Sequence, residues 1–183
     1  MPSLEWNKQV WGHDYAWSKD GDEWSEFALF CGVPYDEWKQ SVAKEFFFHI
    51  TNKSSVLEIG SGHGRWSSII APKLTHGSLH LVDLNESCIA FCKNRLSQYN
   101  NIKYWTNNGS NLDFIADKID FVWSFDTFVH IEEDETKSYI NGLSKIMNKQ
   151  AIGVIHHAGT PTEEQRRCGM RSLVDKNKFH NIL

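Results

Sequence analysis

Three glycines at alternate positions, Gly60, Gly62 and Gly64, follow an apolar run from Val56 to Ile59 that holds a single acid, Glu58. Glycines spaced this way let the backbone take positive φ and come close to a ligand. A helix beginning near Arg65 would present free N–H groups to an anion beside the turn. Two ligand classes can use such a turn. The dinucleotide fingerprint places its third glycine three positions after the second. Here Gly64 stands two after Gly62, and position 65 is arginine. Glu58, two residues before Gly60, would repel a pyrophosphate but suits a ligand carrying an ammonium group. Asp83 closes the next apolar run, roughly 20 residues beyond the turn, where an acid can hold a ribose in α/β folds. The same residue could instead cap the helix that follows. Turn and acid together describe a nucleoside that bears no pyrophosphate.

Such groups need strands whose carboxyl ends meet. Val56–Ile59, SLHLVDL, NIKYWTN, IDFVWSF and AIGVIHH read as five strands. Helical stretches separate them: RWSSIIAPKL, NESCIAFCKNRLSQY and EDETKSYINGLSKIMN. Before the first strand, Tyr35 to His49 places Trp38, Val42 and Phe46 on one helix face. Alternating strands and helices predict an α/β fold, a Rossmann-like, doubly wound and mainly parallel sheet. The expected strand order is 3-2-1-4-5. Residues 1–50 read as an aromatic arm and helix, and 51–183 as the ligand-binding domain. The arm carries Trp6, Trp11, Trp17 and Trp24 without clean periodicity. It reads as packing on the domain or as a lid over the site.

The stretches VLEIGSGHGRW, LVDLN, NNGSNL and IDFVWSFDTFVHIE resemble, in order and spacing, the successive motifs of class I S-adenosylmethionine-dependent methyltransferases. The likeness runs from about Val56 to His157. YAWSKDGDEWS and HHAG look more loosely like a bacterial small-molecule subgroup. The resemblance implies S-adenosylmethionine as cofactor, S-adenosylhomocysteine as product, and a small-molecule acceptor methylated at oxygen or nitrogen. By position, Gly60, Gly62 and Gly64 would face the methionine part. Glu58 would help place its amino group, directly or through water, Asp83 would hold the ribose, and Leu84 would flank the adenine. Asn108, Gly109 and Ser110 would meet the adenine edge. Ser124 and Phe125 would line the methyl-transfer end. Tyr15, Trp17 or Trp24 could cover the cofactor, where an aromatic face favours a sulfonium.

Methyl transfer to oxygen also calls for a base. His130, His156, His157 and Asp126 fall near the ends of the fourth and fifth strands. His130 and His157 are the leading candidates, and adjacent His156 and His157 should face opposite sides of the sheet. The chain of 183 residues has a formal net charge of −4 and no basic stripe, which argues against a nucleic-acid or membrane-surface partner. No apolar run approaches a membrane span. Four cysteines without zinc-site spacing read as reduced thiols of a cytoplasmic protein, with no metal.

After His157 the remaining residues are too few for the two further strands that usually complete this family's sheet. The chain therefore reads as a shortened or partial member with an open fifth strand. The segment Glu163 to Leu183, or a second copy in a symmetric dimer, is expected to cover that edge. Two other readings stand beside the enzyme. One is a cofactor-binding protein without catalysis, completed by a partner. The other is an NAD oxidoreductase, disfavoured by the glycine spacing.

Overall fold

The computed structural model describes residues 2–19, 22, 32, 34–160, 162–167 and 170–183. Trp24, Cys31 and Cys168 lie outside them. Five parallel strands form one sheet: β1 (Ser55–Ile59), β2 (Ser78–Asp83), β3 (Ile102–Thr106), β4 (Ile119–Phe128) and β5 (Met147–His157). Their order is β3-β2-β1-β4-β5, as the sequence predicts. Strands β4 and β5 are longer than their apolar patterns. Met147 to Gln150 already belong to β5, although the pattern begins at Ala151.

Strand alternation divides the core between two faces. On one, Val56, Leu79, Leu81, Phe121 and Trp123 pack beneath α2 (Tyr35–Phe46), α3 (Ser67–Ile70) and α4 (Glu86–Arg95). On the other, Leu57, Ile59, Val82 and Val122 pack beneath α5 (Glu133–Ile146) and α7 (Lys176–Ile182). Helix α2 sends Ala43 into the first core, with Phe47 and Ile50 just beyond it, and Trp38, Val42 and Phe46 pack beside them. This helix thus belongs to the same core as the sheet. Between α5 and α7 the chain forms a short helix α6 (Glu163–Arg167).

The arm holds a helix that its periodicity hid. Helix α1 (Leu4–Gln9) is capped by the Ser3 hydroxyl, which accepts the Trp6 N–H, and continues into a wider π-helical turn over Val10–Asp14. None of the residues of α1 is fully buried. Leu4 and Asn7 of α1, with Trp11, Tyr15 and Trp17 after it, face a cavity and not a hydrocarbon core, so no 3.6-residue apolar stripe was needed.

The C-terminal segment docks on a sheet face and adds no strand. Asp175 caps α7 by accepting the N–H groups of Asn177 and Lys178. Val174 and Phe179 enter the second core, and the Phe179 ring stacks flat on His157 at 4.5 Å. Among the described residues, no strand pairs with the outer edge of β5. Phe179→Ala should therefore destabilise the fold by about 3 kcal/mol, the cost of deleting a buried ring. Phe48, 70% exposed, serves as control, and Phe48→Ala should stay within roughly 0.5 kcal/mol. Urea unfolding of the two variants measures both.

Candidate active site

The glycine turn adopts the backbone its composition demands, with φ of 74° at Gly60, 51° at Gly62 and 81° at Gly64. It is clamped to the end of β2. The N–H groups of Gly60 and Ser61 donate to the Val82 carbonyl, at 2.7 and 3.3 Å. The Asp83 carboxylate accepts the Gly62 N–H at 2.8 Å through Oδ2 and the Asn85 N–H at 2.9 Å through Oδ1. Burial pushes the Asp83 pKa up, and these backbone N–H groups oppose the rise. With the Leu84 N–H also acting on it, the carboxylate still keeps acceptor capacity beyond its bonds to the backbone. Asp83 lines a cavity of about 610 Å³ at the carboxyl ends of the strands, together with Gly60, Gly62, Leu84, Gly109 and Phe125.

Glu58 lies elsewhere. Alternation puts it on the face of Val56, under α3, where its carboxyl group accepts the Ser67 hydroxyl at 2.5 Å. It does not line the cavity. Burial pushes its pKa up to about 8, against the pull of Ser67 and Arg65. Its place is behind the turn and off the cavity wall, so of the two expected routes to the ligand's amino group, direct or through water, this placement leaves the one through water.

The arm closes over the turn. Trp17 lies so near Gly62 that a Cβ there would meet its ring at 2.9 Å. A Cβ at Gly109 would strike Leu4, and one at Gly60 would strike Thr127. Trp17 also stacks on His63 at 4.3 Å, and His63 on Phe91 at 3.9 Å. Burial in this sandwich, helped by the Arg95 charge, lowers the His63 pKa to about 4. Trp17 Nε1 donates to the Trp11 carbonyl, and Asn7 Nδ2 to the His130 carbonyl. Trp11, Tyr15 and Trp17 line the cavity as one run of touching rings.

The end of β4 carries the densest chemistry. Asp126 has φ of 61°, the one positive value outside glycine among the described residues. Strict alternation would place it with Val122 and Ser124. The left-handed backbone and a register shift between Ser124 and Phe128 let its carboxylate reach across. Oδ2 meets Arg65 at 3.0 Å, and Oδ1 lies 3.0 Å from His156 Nδ1. Burial works to raise the Asp126 pKa, but His156 and Arg65 prevail and hold it below the usual carboxylate range. His130 lines the cavity between the Trp6 and Trp11 rings, at 5.9 and 4.9 Å. Its Nδ1 lies 2.5 Å from the Met170 carbonyl. A carbonyl only accepts, so Nδ1 carries the proton and Nε2 is left as an acceptor. Burial lowers the His130 pKa to about 4 and keeps the ring neutral.

Several expected residues stand off the cavity. His157 turns to the opposite face from His156, as alternation requires, and lies against Phe179. That placement removes it as a base for this site. Ser124 is buried and donates to the Ile59 carbonyl. Asn108 turns its amide oxygen back on the N–H groups of Ser110 and Asn111, so Asn108 and Ser110 hold the loop and only Gly109 reaches the cavity. Sequence reasoning missed Leu4, His63, Trp66, Asn85, Cys88, Thr127 and Glu132, all on the cavity wall. Except for Leu4, their visible signal was a place in or beside the motifs. Cys88 and Cys92 are buried and not joined in a disulfide, and burial pushes the Cys92 thiol up to about 12. No cluster able to hold a metal ion occurs among the described residues. No helix among them is long and apolar enough to cross a membrane.

Residues 56–150 match the methyltransferase domain family, over more than half of the chain. The protein belongs to that family. Solved structures of the same fold include the N-methyltransferase NodS from Bradyrhizobium japonicum WM9 with S-adenosyl-L-homocysteine. That chain is 17% identical, with 81% of this chain covering 72% of it at a TM-score of 0.67. An S-adenosylmethionine-dependent methyltransferase from Clostridium acetobutylicum ATCC 824 is 18% identical, with 71% of this chain covering 52% of it at 0.56. PKMT2 from Rickettsia typhi with AdoHcy is 21% identical, with 58% of this chain covering 21% of it at 0.53. The chain thus spans about a fifth to a half of the length of the last two. No curated protein matches the chain.

Glu58 gives the site a pH signature. Its pKa is about 8 in the folded protein, against about 4.3 unfolded. The folded state holds the proton more tightly, so Glu58 contributes stability at low pH that is lost as pH rises from about 5 to 8. Wild type should lose a few kcal/mol over this window relative to Glu58→Gln, in which the slope disappears. Denaturant titrations at stepped pH measure the difference.

Proposed function

We propose that the protein is an S-adenosylmethionine-dependent methyltransferase acting on a small molecule at oxygen or nitrogen. The observation that carries this reading is the clamped pair of glycine turn and Asp83 on the wall of one cavity. The residues present fit the cofactor. Positive-φ glycines leave the turn without side chains, Asp83 retains acceptor capacity for ribose hydroxyls, and Leu84 and Gly109 line the same cavity. The cofactor's methyl group, borne on a sulfonium, is the electrophile.

The chain's own residues then bind, orient and exclude water. Trp11, Tyr15 and Trp17 favour a cationic centre by about 0.5–2 kcal/mol. Their arm acts as a lid, and residues 2–19 supply the rings. Fixing acceptor and methyl in line lowers the barrier by several kcal/mol. His130 serves as the proton acceptor. Met170 fixes its tautomer and leaves Nε2 to take a proton from the acceptor's hydroxyl or amine. A depressed pKa makes it a weak base that is always in the accepting form at neutral pH. The known ligands of neighbouring folds support the cofactor, since NodS and PKMT2 were solved with its demethylated product.

Two measurements test the reading. Asp83→Ala should weaken S-adenosylhomocysteine binding at least about tenfold, the equivalent of one lost charged hydrogen bond at roughly 1.5–3 kcal/mol. Calorimetric titration reads it, and unchanged affinity would assign Asp83 to the turn alone. His130→Ala should slow methyl transfer by about 10²–10⁴ while S-adenosylhomocysteine affinity holds. An unaffected rate would remove His130 as the base.

A further inference from the structure

Two arginines, Arg65 and Arg171, stand on the cavity wall among the described residues. Arg65 is taken. Asp126 accepts it at 3.0 Å, and its guanidinium lies over the Trp66, Phe125 and Trp38 rings at 5.2, 5.7 and 6.0 Å. Arg171 has no such partner. Its side chain enters no ion pair, hydrogen bond or ring contact among the described residues. The acids on the same wall are held elsewhere. Asp83 accepts the Gly62 and Asn85 N–H groups, Asp126 holds Arg65 and His156, and the Glu132 carboxyl group accepts the Leu173 N–H. Glu135 belongs to the first turn of α5 and makes no ion pair with Arg171.

The place of Arg171 is set by its neighbours. The Met170 carbonyl meets His130 Nδ1 at 2.5 Å, and the Ser172 N–H donates to the Val129 carbonyl at 2.8 Å. Leu173 adds its bond to Glu132. Ser172 is fully buried, and its hydroxyl accepts the Val174 N–H at 3.0 Å. The backbone on both sides of Arg171 is thus stitched to the residues around His130. The charge is felt there. Burial lowers the His130 pKa, the Met170 carbonyl opposes it, and Arg171 lowers it further. An arginine on a convex surface needs no partner, because water supplies one. On a concave wall beside the proton acceptor of the proposed reaction, its planar fork of N–H donors meets whatever fills the cavity.

We infer that the acceptor carries an oxyanion, a carboxylate or phosphate group, bound by Arg171 while the atom to be methylated faces His130 Nε2. This inference rests on the methyltransferase reading and names the acceptor class for that same cavity. The guanidinium fork matches either oxyanion with two parallel hydrogen bonds. Trp11 lines the cavity 4.9 Å from the His130 ring and offers apolar surface to the rest of the acceptor. An ammonium acceptor would meet Arg171 as a like charge. A neutral one would leave its donors to water.

The test uses the full chain saturated with S-adenosylhomocysteine and four probes: 3-phenylpropanoate, phenyl phosphate, 2-phenylethanol and 2-phenylethylamine. Binding is read by ligand-observed NMR. At least one of the two anions should bind about tenfold tighter than the alcohol and the amine, the worth of one charged hydrogen bond. The tighter anion names the group. Arg171→Gln should remove most of that preference, Arg171→Lys should keep part of it, and both should leave S-adenosylhomocysteine affinity within about twofold. Neither anion binding tighter than the alcohol and the amine overturns the inference, whether or not any probe binds, and this comparison needs no variant to fold. So does an anion preference untouched by Arg171→Gln in a variant with a wild-type melting curve. A tenfold loss of S-adenosylhomocysteine affinity in that variant also overturns it, because Arg171 would then hold the cofactor's own carboxylate. Failure of S-adenosylhomocysteine to bind wild type sinks the methyltransferase reading instead, and the probe series on the chain alone still decides the anion preference.

Discussion

The bond from the Gly62 N–H to the Asp83 carboxylate organises this site. Through it the end of β2 fixes the turn that follows β1, and through its second oxygen the same carboxylate fixes Asn85 at the start of α4. One buried charge therefore sets three chain segments in register. It is tolerated because backbone N–H groups surround it, each a donor that burial would otherwise leave unmet. Gly60 and Ser61 add their own bonds to Val82, so the turn has no freedom to relax. The glycines become necessary in this setting. A side chain at Gly60 would strike Thr127, and one at Gly62 would strike Trp17. The positive φ values are the local consequence of a constraint set one strand away.

Glu58 shows the same logic from behind. A neutral residue there would pack as well in a β1 buried on both faces. The acid instead reaches Ser67 on α3 and sits within the field of Arg65. Its raised pKa means the proton is largely retained near neutrality, and the group acts as a hydrogen-bonding acid. Arg65 is drawn the other way, to Asp126. The left-handed backbone at Asp126 costs about 1–2 kcal/mol in an L residue, less for aspartate. Two charge-assisted contacts at its carboxylate offset that strain.

The sheet was legible because its signals are redundant. Five apolar runs, three intervening helices and a single glycine turn leave few topologies open, and the observed order follows. Alternation also assigned His156 and His157 to opposite faces correctly. What escaped was whatever depends on a neighbour distant in sequence. Asn108 and Ser110 looked like ligand contacts from their place after β3, but a short amide side chain closes its own Asx turn first. Ser124 looked exposed to the cleft, yet the Ile59 carbonyl on the adjacent strand claims its hydroxyl. Helix α1 escaped because it is short, carries only Leu4 and Trp6 as apolar residues and turns Leu4 and Asn7 to a cavity, so periodicity carried no signal. Its cap, Ser3 with Trp6 three positions on, is too common a pair to read alone.

The arm and the ligand site compete for the same surface, and this has a dynamic consequence. Leu4 sits over Gly109 and Trp17 over Gly62, so the arm rests on the positions whose missing side chains open the site. It is held there by ring faces, a few side-chain bonds and the ion pairs from Asp22 to Lys39 and Arg95. No residue of α1 enters either core cluster. A segment with few buried apolar contacts opens at far lower free energy than the sheet beneath it. In the proposed role of a lid, entry to the cavity would need only that this segment lift, while β1, β2 and β4 stay fixed by the bonds that shape the turn. The rings that would seal the site on return are the same rings that line it. For such a lid, closing the arm and completing the binding wall would be one event, and the energy of the second would stabilise the first.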